Sequence, residues 1–302
     1  MVGAGHMGRY HAQKLAARSD CRLVAVADVD RARAEALAGA YGCPAFTDYR
    51  GILGLADAAV ISVPTEQHHE VAGACLAAGL HVLVEKPLAV DLDQSRDLIE
   101  VARRKNIVLQ VGHVERYNAA FRALAARMQR PLFIEAERLS GFKLRGADVD
   151  VVLDLMIHDL DLALALGKGE VSGVSACGFR VLTRDIDIAN ARIEFSDGCV
   201  ANLSASRVSQ APVRKLRVFQ ADMYVSADLQ AGKLRYVRQA GGAIEEVEET
   251  HSGDALGAQA DAFVSAVLQA RPVPVDGEGG RRALELALEV GRLVRERLKR
   301  FG

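Results

Sequence analysis

The sequence predicts an α/β protein of two domains, in which a parallel sheet flanked by helices is followed by a meander of antiparallel strands. Within the first 112 residues, short apolar runs alternate with helical patterns of ten or more residues, as in βαβ units. The later strands follow one another through short polar turns such as Ser196-Asp197-Gly198. The 302 residues, 50% of them hydrophobic, suffice for two cores. We place the two domains at residues 1–115 and 116–302.

The first domain alternates helices and strands along the chain. Asp30 and Asp91 stand where helix N-caps are expected, and Gly79 stands where a helix should end. In chain order the pattern predicts a helix at Arg9–Arg18, a strand at Leu23–Asp28, a helix at Arg31–Tyr41, a strand at Ala58–Val63, a helix at Glu66–Ala78, a strand at Leu80–Val84, a helix at Leu92–Lys105 and a strand at Ile107–Val111.

The second domain is predicted to be richer in strands than in helices. Helices are expected at Asn118–Arg130, at Leu153–Leu166 and near 255–270 and 279–299. Strands are expected near 131–139, 171–182, 187–195, 199–208, 213–220, 222–227, 233–238 and 243–248. Few helices are available to cover this sheet, so we expect one face to pack against another subunit.

Composition excludes several classes of partner. The net charge is −1 and the pI about 6.7, so no basic surface indicates nucleic acid or anionic lipid. No apolar run reaches the roughly 18 residues of a membrane span, and the chain start does not resemble a signal peptide. The cysteines form no CxxC motif and favour reduced thiols in the cytoplasm: Cys21, Cys43, Cys75, Cys177 and Cys199.

A glycine-rich loop, Gly3-Ala4-Gly5-His6-Met7-Gly8, matches G-x-G-x-x-G and leads into the first helix. Such a loop lets the backbone approach a pyrophosphate at a helix amino terminus. Asp28 follows Gly8 by 20 residues at a strand end, where a carboxylate can bind ribose hydroxyls. This acid favours NAD over NADP, although Arg31 and Arg33 leave some tolerance of NADP. The alternative is that the glycines only mark a turn and Asp28 only caps a loop.

Only Met1 and Val2 precede this loop, where a full first strand is expected. Either the sequence begins inside that strand, which is the favoured interpretation, or the strand is missing.

The next strand end carries a second set of candidate cofactor contacts. Ser62, Pro64 and Thr65 close the strand and lead into a helix, an arrangement whose backbone groups can hold the middle of a dinucleotide. His68, in the first helical turn, is included in this set. For His68 and His69 a metal or acid–base role is the less favoured interpretation, and surface or capping histidines are the favoured one.

Lys86 stands in Glu85-Lys86-Pro87, directly after a buried-strand pattern. A charge at this point is costly unless something uses it, and ligands bind at this edge of an open α/β sheet. Pro87 fixes a backbone angle, so the chain turns where the ammonium group is presented. The pattern therefore indicates that Lys86 contacts a ligand.

Asp154 and His158 are four residues apart on a helical pattern and so share one face. Oxidation of a hydroxyl needs loss of its proton, which a histidine is suited to accept, and a carboxylate one turn away can orient the ring. An ammonium group can stabilise the developing oxyanion. The alternative is an ordinary helix pair in which His158 is bonded locally. A zinc site needs three or four ligands, and only this pair is evident, so no metal is predicted.

Taken together, the motifs GAGHMG, VPTEQHH, EKP and DLMIHDLD, with Asp28, resemble those of the Gfo/Idh/MocA oxidoreductases over essentially the whole chain. The resemblance implies a Rossmann domain, a second α/β domain with a large, mostly antiparallel open-faced sheet, and NAD(P)-dependent oxidation of a CH–OH group. It further implies that Glu85, Lys86 and Pro87 contact the cofactor, that Lys86 also contacts the reacting hydroxyl, and that His158 is the general base beside Asp154.

Two further segments are similar to those of family members that oxidise the 3-hydroxyl of UDP-N-acetylglucosamine. They contain Arg116, Tyr117 and Asn118 at the domain junction, and Lys143 and Arg145 before the catalytic helix. Cationic side chains suit a diphosphate, and the junction residues suit a sugar. Alternatively, the basic residues are solvated and Tyr117 is a packing residue. The other functions left open are dehydrogenation of a free sugar or inositol, and a non-catalytic NAD(P)-binding regulator.

Overall fold

The computed structural model describes residues 1–142 and 149–301, and the chain divides into two compact units. The first unit comprises Met1–Val114 and Asp254–Arg281, and the second comprises Glu115–Gly253 and Arg282–Gly302. The predicted division placed 254–281 in the second domain. In the structure the helix at Ala255–Gln269 contacts the helix at His6–Ala16. A helical pattern predicts an apolar face but not which sheet or helix that face will cover.

The first unit is a parallel α/β layer structure, as predicted. Its strands are β1 (Val26–Ala27), β2 (Ala45–Phe46), β3 (Ala58–Ile61), β4 (His81–Glu85) and β5 (Leu109–Gly112). Val2 bridges β1 and β3 in parallel, β2 flanks β1, and β3, β4 and β5 pair in that order. Its helices are α1 (His6–Ala16), α2 (Arg31–Tyr41), α3 (His68–Ala77), α4 (Leu92–Lys105) and α7 (Ala255–Gln269). Asp30 and Asp91 cap α2 and α4.

The second unit, in its described residues, contains an eight-stranded sheet of mostly antiparallel strands. The strands are β6 (Phe133–Leu139), β7 (Val171–Phe179), β8 (Ile188–Phe195), β9 (Val200–Ser206), β10 (Val213–Gln220), β11 (Met223–Asp228), β12 (Lys233–Ala240) and β13 (Ala243–Thr250). The strand order is β13-β12-β11-β10-β6-β9-β8-β7, and β6 and β9 pair in parallel. The helices are α5 (Ala119–Arg127) and α6 (Ile157–Leu166), and α8 (Gly277–Phe301) runs from the first unit into the second.

One face of this sheet forms the core of the second unit. Along β8, buried Ala189, Ala191 and Ile193 alternate with exposed residues, which is the period of a sheet covered on one side. The buried face packs with apolar residues of α5, α6 and α8. The other face remains open, with Phe179 and Ile188 exposed.

The segment before α6 departs from the predicted regular helix. Val152–Met156 forms a π-helical turn, and the α-helix begins at Ile157. The Asp150 carboxylate accepts hydrogen bonds from the backbone N–H groups of Val152 and Leu153, both at 3.0 Å. Asp154 therefore lies in a turn of a type that is often found at functional sites. In the part of the chain that the structure describes, no helix is long and apolar enough to cross a membrane.

Candidate active site

The glycine loop is shaped by two contacts that leave no room for side chains. Gly3 has a φ of +89°, and a Cβ there would lie 2.4 Å from the carbonyl oxygen of Ser62. A Cβ on Gly8 would lie 1.9 Å from the carbonyl oxygen of Gly3. Close packing of loop, strand end and helix therefore requires both glycines.

Gly5 is different, because a Cβ there would meet nothing within 4 Å. Gly5 is the N-cap of α1 and has extended backbone angles, and among the described residues no side chain forms a capping hydrogen bond with this helix. The amino terminus of α1 thus lies beside open space without a side-chain cap from the part of the chain that the structure describes. A dinucleotide's pyrophosphate fits this arrangement, since helix amino termini attract anions. His6 and Met7 form the first turn, with His6 exposed and in edge contact with Tyr10.

The Asp28 carboxylate connects the glycine loop to the end of β1 by hydrogen bonding. It accepts hydrogen bonds from the backbone N–H groups of Ala4 at 2.7 Å and Asp30 at 2.8 Å. Arg33 pairs with Asp30 at 2.9 Å and lies 3.7 Å from Asp28. A carboxylate oxygen accepts more than one hydrogen bond, so Asp28 can still bind a ribose hydroxyl. Its charge opposes a 2′-phosphate, while Arg33 is already paired with an acid.

His68 joins the second strand end to the Lys86 turn. Its Nδ1 lies 2.8 Å from the carbonyl oxygen of Pro87, and its Nε2 lies 3.0 Å from that of Val63. The ring is buried, and burial lowers the pKa of His68 although both carbonyl contacts oppose the shift. Ser62 and Pro64 lie in the loop that His68 contacts, and Thr65 begins the short 3-10 turn that follows. The ring of His68 thus contacts protein backbone.

Lys86 follows the last residue of β4 and is half-buried. The Glu85 carboxylate accepts a hydrogen bond from the Lys86 backbone N–H at 3.3 Å and lies against Gly112 of β5. Glu85, Pro87, His68 and the glycine loop all belong to the first unit. The structure therefore gathers the predicted cofactor contacts at the carboxyl edge of one parallel sheet.

Asp154 and His158 lie in the second unit, in the π-helical turn and in α6 respectively, and both are half-buried. The backbone N–H of Asp154 bonds to the carbonyl oxygen of Asp150 at 3.0 Å, which continues the helical path into the turn. Lys86 belongs to the first unit.

Asp159, next to His158, is held by a buried ion pair. Nε and Nη2 of Arg138 each lie 2.9 Å from a carboxylate oxygen of Asp159, and Nη1 lies 2.8 Å from Glu115. Burial opposes the charge of Arg138, but the two carboxylates more than offset it and raise the pKa of the guanidinium. A bidentate pair of this kind fixes α6 against β6.

Asp161 is also buried, with one oxygen 3.4 Å from Nη1 of Arg116. Its other oxygen has no hydrogen-bond partner among the described residues, and burial raises the pKa of Asp161 to about 7. The Arg116 side chain is 22% exposed and so can reach a ligand while it pairs with Asp161.

Two predicted substrate contacts have other roles in the structure. The Asn118 side chain caps α5 by accepting from the N–H groups of Ala120 and Phe121, and it donates to the carbonyl oxygen of Leu229 at 2.8 Å. Tyr117 is buried, which agrees with the packing alternative. The sequence of the junction motif does not predict which of its side chains will form hydrogen bonds with the backbone. Lys143 and Arg145 lie outside the described residues.

Sequence reasoning missed His11, Glu115 and Arg138. His11 contacts the predicted site residue Glu85, and Arg138 contacts both Glu115 and Asp159, the neighbour of His158. The one indication in the sequence was a polar residue at a position where the helical pattern predicts an apolar one, as at His11 on α1. Across 1–142 and 149–301, no three His, Cys, Asp or Glu side chains are grouped to hold a metal ion.

Comparison with known proteins agrees with this geometry. Residues 1–113 match the family model described as "Oxidoreductase family, NAD-binding Rossmann fold", and residues 120–222 match "GFO/IDH/MocA C-terminal domain". A UDP-N-acetylglucosamine 3-dehydrogenase of Acidithiobacillus ferrooxidans is 41% identical, with 99% of this chain and 98% of that protein covered.

A solved structure of a UDP-N-acetylglucosamine 3-dehydrogenase from the same organism has a TM-score of 0.93 and 39% identity, covering 98% of this chain and 96% of that one. An inositol 2-dehydrogenase of Rhizobium meliloti is 27% identical over 98% of this chain and 96% of its own length.

Proposed function

The chain belongs to the Gfo/Idh/MocA family of NAD-binding oxidoreductases, and from that premise we propose that it oxidises the 3-hydroxyl of UDP-N-acetylglucosamine to a 3-keto sugar. The observation that carries the choice of substrate is the 41% identity, over nearly the full length of both chains, to a dehydrogenase of that name. The three side chains that the reaction requires, Lys86, Asp154 and His158, are present.

The glycine loop and Asp28 hold the cofactor by its charged and polar groups. The first turn of α1 faces the pyrophosphate, and the Asp28 carboxylate takes the ribose hydroxyls. Ser62, Pro64 and Thr65 line the middle of the site, and Glu85, Lys86 and Pro87 its reactive end. When bound, NAD supplies the acceptor for the hydride.

His158 and Lys86 divide the chemistry at the hydroxyl group between them. His158 accepts the hydroxyl proton at an imidazole nitrogen. The Lys86 ammonium group stabilises the negative charge that develops on the oxygen. Asp154 orients His158 or the substrate from the preceding turn. This mechanism requires the two units to present Lys86 and His158 to the same substrate.

Arg116 is the proposed contact for the diphosphate of the nucleotide sugar. Its guanidinium is partly exposed while it contacts Asp161 at 3.4 Å, and a planar guanidinium suits a doubly charged anion. Lys143 and Arg145 remain proposed partners of the same diphosphate on sequence grounds. Asn118 is not among the proposed substrate contacts, because its side chain caps α5.

We further propose a cytoplasmic homodimer or homotetramer that assembles through the open face of the eight-stranded sheet. The exposed apolar residues on or beside that face, which include Phe179 and Ile188, support an interface. All five cysteines are free thiols, as suits a reducing compartment.

A panel of substrates tests the proposed activity. Purified protein is incubated with NAD and UDP-N-acetylglucosamine, UDP-glucose, free N-acetylglucosamine or myo-inositol, and NADH is followed at its absorbance band. We expect turnover with the first substrate and a product two mass units lighter by mass spectrometry. The inositol 2-dehydrogenase relative makes the inositol arm the specific alternative.

Turnover with inositol or a free sugar alone would replace the substrate. A stable NAD complex without turnover on any panel member would favour the non-catalytic regulator.

A further inference from the structure

His11 is a buried histidine on α1 that has no part in the proposed cofactor binding or in the proposed proton transfer. Its side chain is 1% exposed, and its Nε2 lies 2.6 Å from Oε1 of Glu85, which is 74 residues away in sequence. A histidine enclosed in this way costs free energy unless its ring nitrogens are bonded. The short contact to a carboxylate offsets that cost at one nitrogen, while Nδ1 has no hydrogen-bond partner among the described residues.

Glu85 is confined on three sides by elements of the first unit. His11 of α1 contacts one carboxylate oxygen, and the backbone N–H of Lys86 donates to the other at 3.3 Å. Gly112 of β5 lies opposite Glu85 in the sheet register, and a Cβ on Gly112 would lie 3.0 Å from both Cα and Oε2 of Glu85. A side chain at position 112 would therefore crowd both the carboxylate and the backbone of Glu85.

The two ends of this contact lie on the elements that carry the proposed chemistry. The helix with His11 begins at the glycine loop, and Glu85 directly precedes Lys86. The hydrogen bond therefore joins the pyrophosphate-binding helix to the turn that presents the ammonium group. A shift of about 1 Å in a catalytic group can cost about 100-fold in rate, so a contact that fixes this turn can control turnover.

We propose that His11 is a positioning residue for the dehydrogenation: through Glu85 it holds the turn that presents Lys86. This inference rests on the proposed role of Lys86 in catalysis. His11 itself touches neither substrate nor cofactor in this scheme. Its ring orients the Glu85 carboxylate, and the carboxylate in turn holds the Lys86 backbone N–H.

The contact also assigns the tautomer of His11. A carboxylate accepts hydrogen bonds and donates none when ionised, so Nε2 must carry the proton that lies between the two groups. The tautomer can be read in the protein without cofactor or substrate, from the ring nitrogen shifts of His11 in a long-range ¹H–¹⁵N spectrum. We expect a protonated Nε2 in the wild type and a changed Nε2 shift in Glu85→Gln.

Two amide variants of His11 distinguish a role in positioning Glu85 from a role in filling space. The amide nitrogen of glutamine reaches the place of Nε2, whereas that of asparagine reaches only as far as Nδ1. We expect His11→Asn to lower kcat at least about 10-fold with KM for NAD changed less than about 3-fold, and His11→Gln to restore most of kcat. His81→Asn is the matched control, because His81 lies at the opposite end of β4, where it accepts from the Val108 N–H at 2.9 Å.

A double variant tests whether His11 acts through Glu85. If it does, His11→Asn combined with Glu85→Gln should have the kcat of Glu85→Gln alone, since the second change removes nothing further. Independent, multiplied losses would overturn the inference. So would equal kcat values for His11→Asn and His11→Gln, or a protonated Nδ1 in place of Nε2.

The outcomes also distinguish this inference from the proposed function. If no nucleotide sugar is oxidised but inositol is, the same variants are compared on inositol. If the wild type turns over no substrate, the proposed function fails, and the Nε2 tautomer still decides whether the His11–Glu85 pair exists. A correct tautomer with unchanged kcat in His11→Asn would leave the pair structural and overturn its positioning role.

Discussion

Arg138 holds Asp159 by two hydrogen bonds of 2.9 Å each, at a point where both side chains are buried. Asp159 immediately follows His158, so this pair ties the helix of the proposed base to strand β6. The same guanidinium reaches Glu115 at 2.8 Å, and Glu115 is also contacted by Arg214 at 3.4 Å from a more exposed position. One cation is thus surrounded by two buried carboxylates.

Removal of Arg138 is expected to be strongly destabilising. Arg138→Ala leaves Asp159 and Glu115 as buried charges without their main partner, which should lower the free energy of unfolding by about 3–5 kcal/mol. Arg214→Ala removes an exposed contact of the same Glu115 and should cost less than about 1 kcal/mol. Urea denaturation followed by circular dichroism measures both. Similar small losses in the two variants would contradict a structural role for the buried pair.

Gly5 and Gly8 should respond differently to the same substitution. Gly5 has extended backbone angles and an added Cβ meets no protein atom within 4 Å, so Gly5→Ala should change stability by less than about 0.5 kcal/mol. The methyl group would fill the space proposed for pyrophosphate, and we expect the Kd for NAD to rise at least about 10-fold. Calorimetric titration with NAD measures it.

Gly8→Ala is the counterpart, because its Cβ would lie 1.9 Å from the carbonyl oxygen of Gly3. We expect a loss of at least about 2 kcal/mol in stability by denaturation. Unchanged NAD binding in a stable Gly5→Ala protein would reject the proposed pyrophosphate site.

Lys86 and His158 are predicted to act on the reaction and not on cofactor affinity. Lys86→Ala and His158→Ala should each reduce kcat by at least about 100-fold while the Kd for NAD stays within about 3-fold, because proton transfer and charge stabilisation act in the transition state. Steady-state kinetics and NAD titration check this. Lys105→Ala and the exposed His69→Gln are matched controls, and near wild-type turnover in either site variant would remove that residue from the mechanism.

Asn118 is predicted to affect stability without affecting the substrate. Asn118→Ala loses the cap of α5 and should cost about 1 kcal/mol in the free energy of unfolding, whereas Asn118→Ser keeps an oxygen for the cap and should recover most of it. KM for the nucleotide sugar should be unchanged in both. A rise in KM that is equal in the two variants would return Asn118 to the substrate site.

Asp161 should make stability depend on pH in a direction opposite to that of most carboxylates. Burial raises the pKa of Asp161 to about 7, while the unfolded chain has an ordinary value near 3.9. Between these two values the folded state binds the extra proton, so its contribution to stability is present at low pH and is lost as pH rises through 7. Asp161→Asn removes the titration.

The difference in stability between pH 5 and pH 8 should therefore change in Asp161→Asn by an amount on the order of 2 kcal/mol. Denaturation curves at several pH values measure it, with the exposed Asp93→Asn as control. A pH profile of stability that is identical in wild type and Asp161→Asn would show that the carboxyl group does not titrate in this window.

Features that depend on neighbouring residues along the chain could be predicted from the sequence. Apolar periodicity predicted the alternating layers of the first unit and the strands of the second, because each element's own burial pattern repeats every two or every 3.6 residues. The helix caps at Asp30 and Asp91 depend on atoms a few residues away and were likewise predicted. The glycine loop and the Lys86 turn were recognised because their geometry constrains residue type locally.

Contacts between side chains that are distant in sequence are visible only in the tertiary structure. The pairs of His11 with Glu85 and of Arg138 with Asp159 span 74 and 21 residues, and the attachment of α7 to α1 joins the two ends of the first unit's chain. The π-helical turn at Asp154 and the cap at Asn118 also depend on backbone groups that no periodicity reveals. A polar residue finds its partner through the packing of whole elements, so its role is undetermined until those elements are assembled.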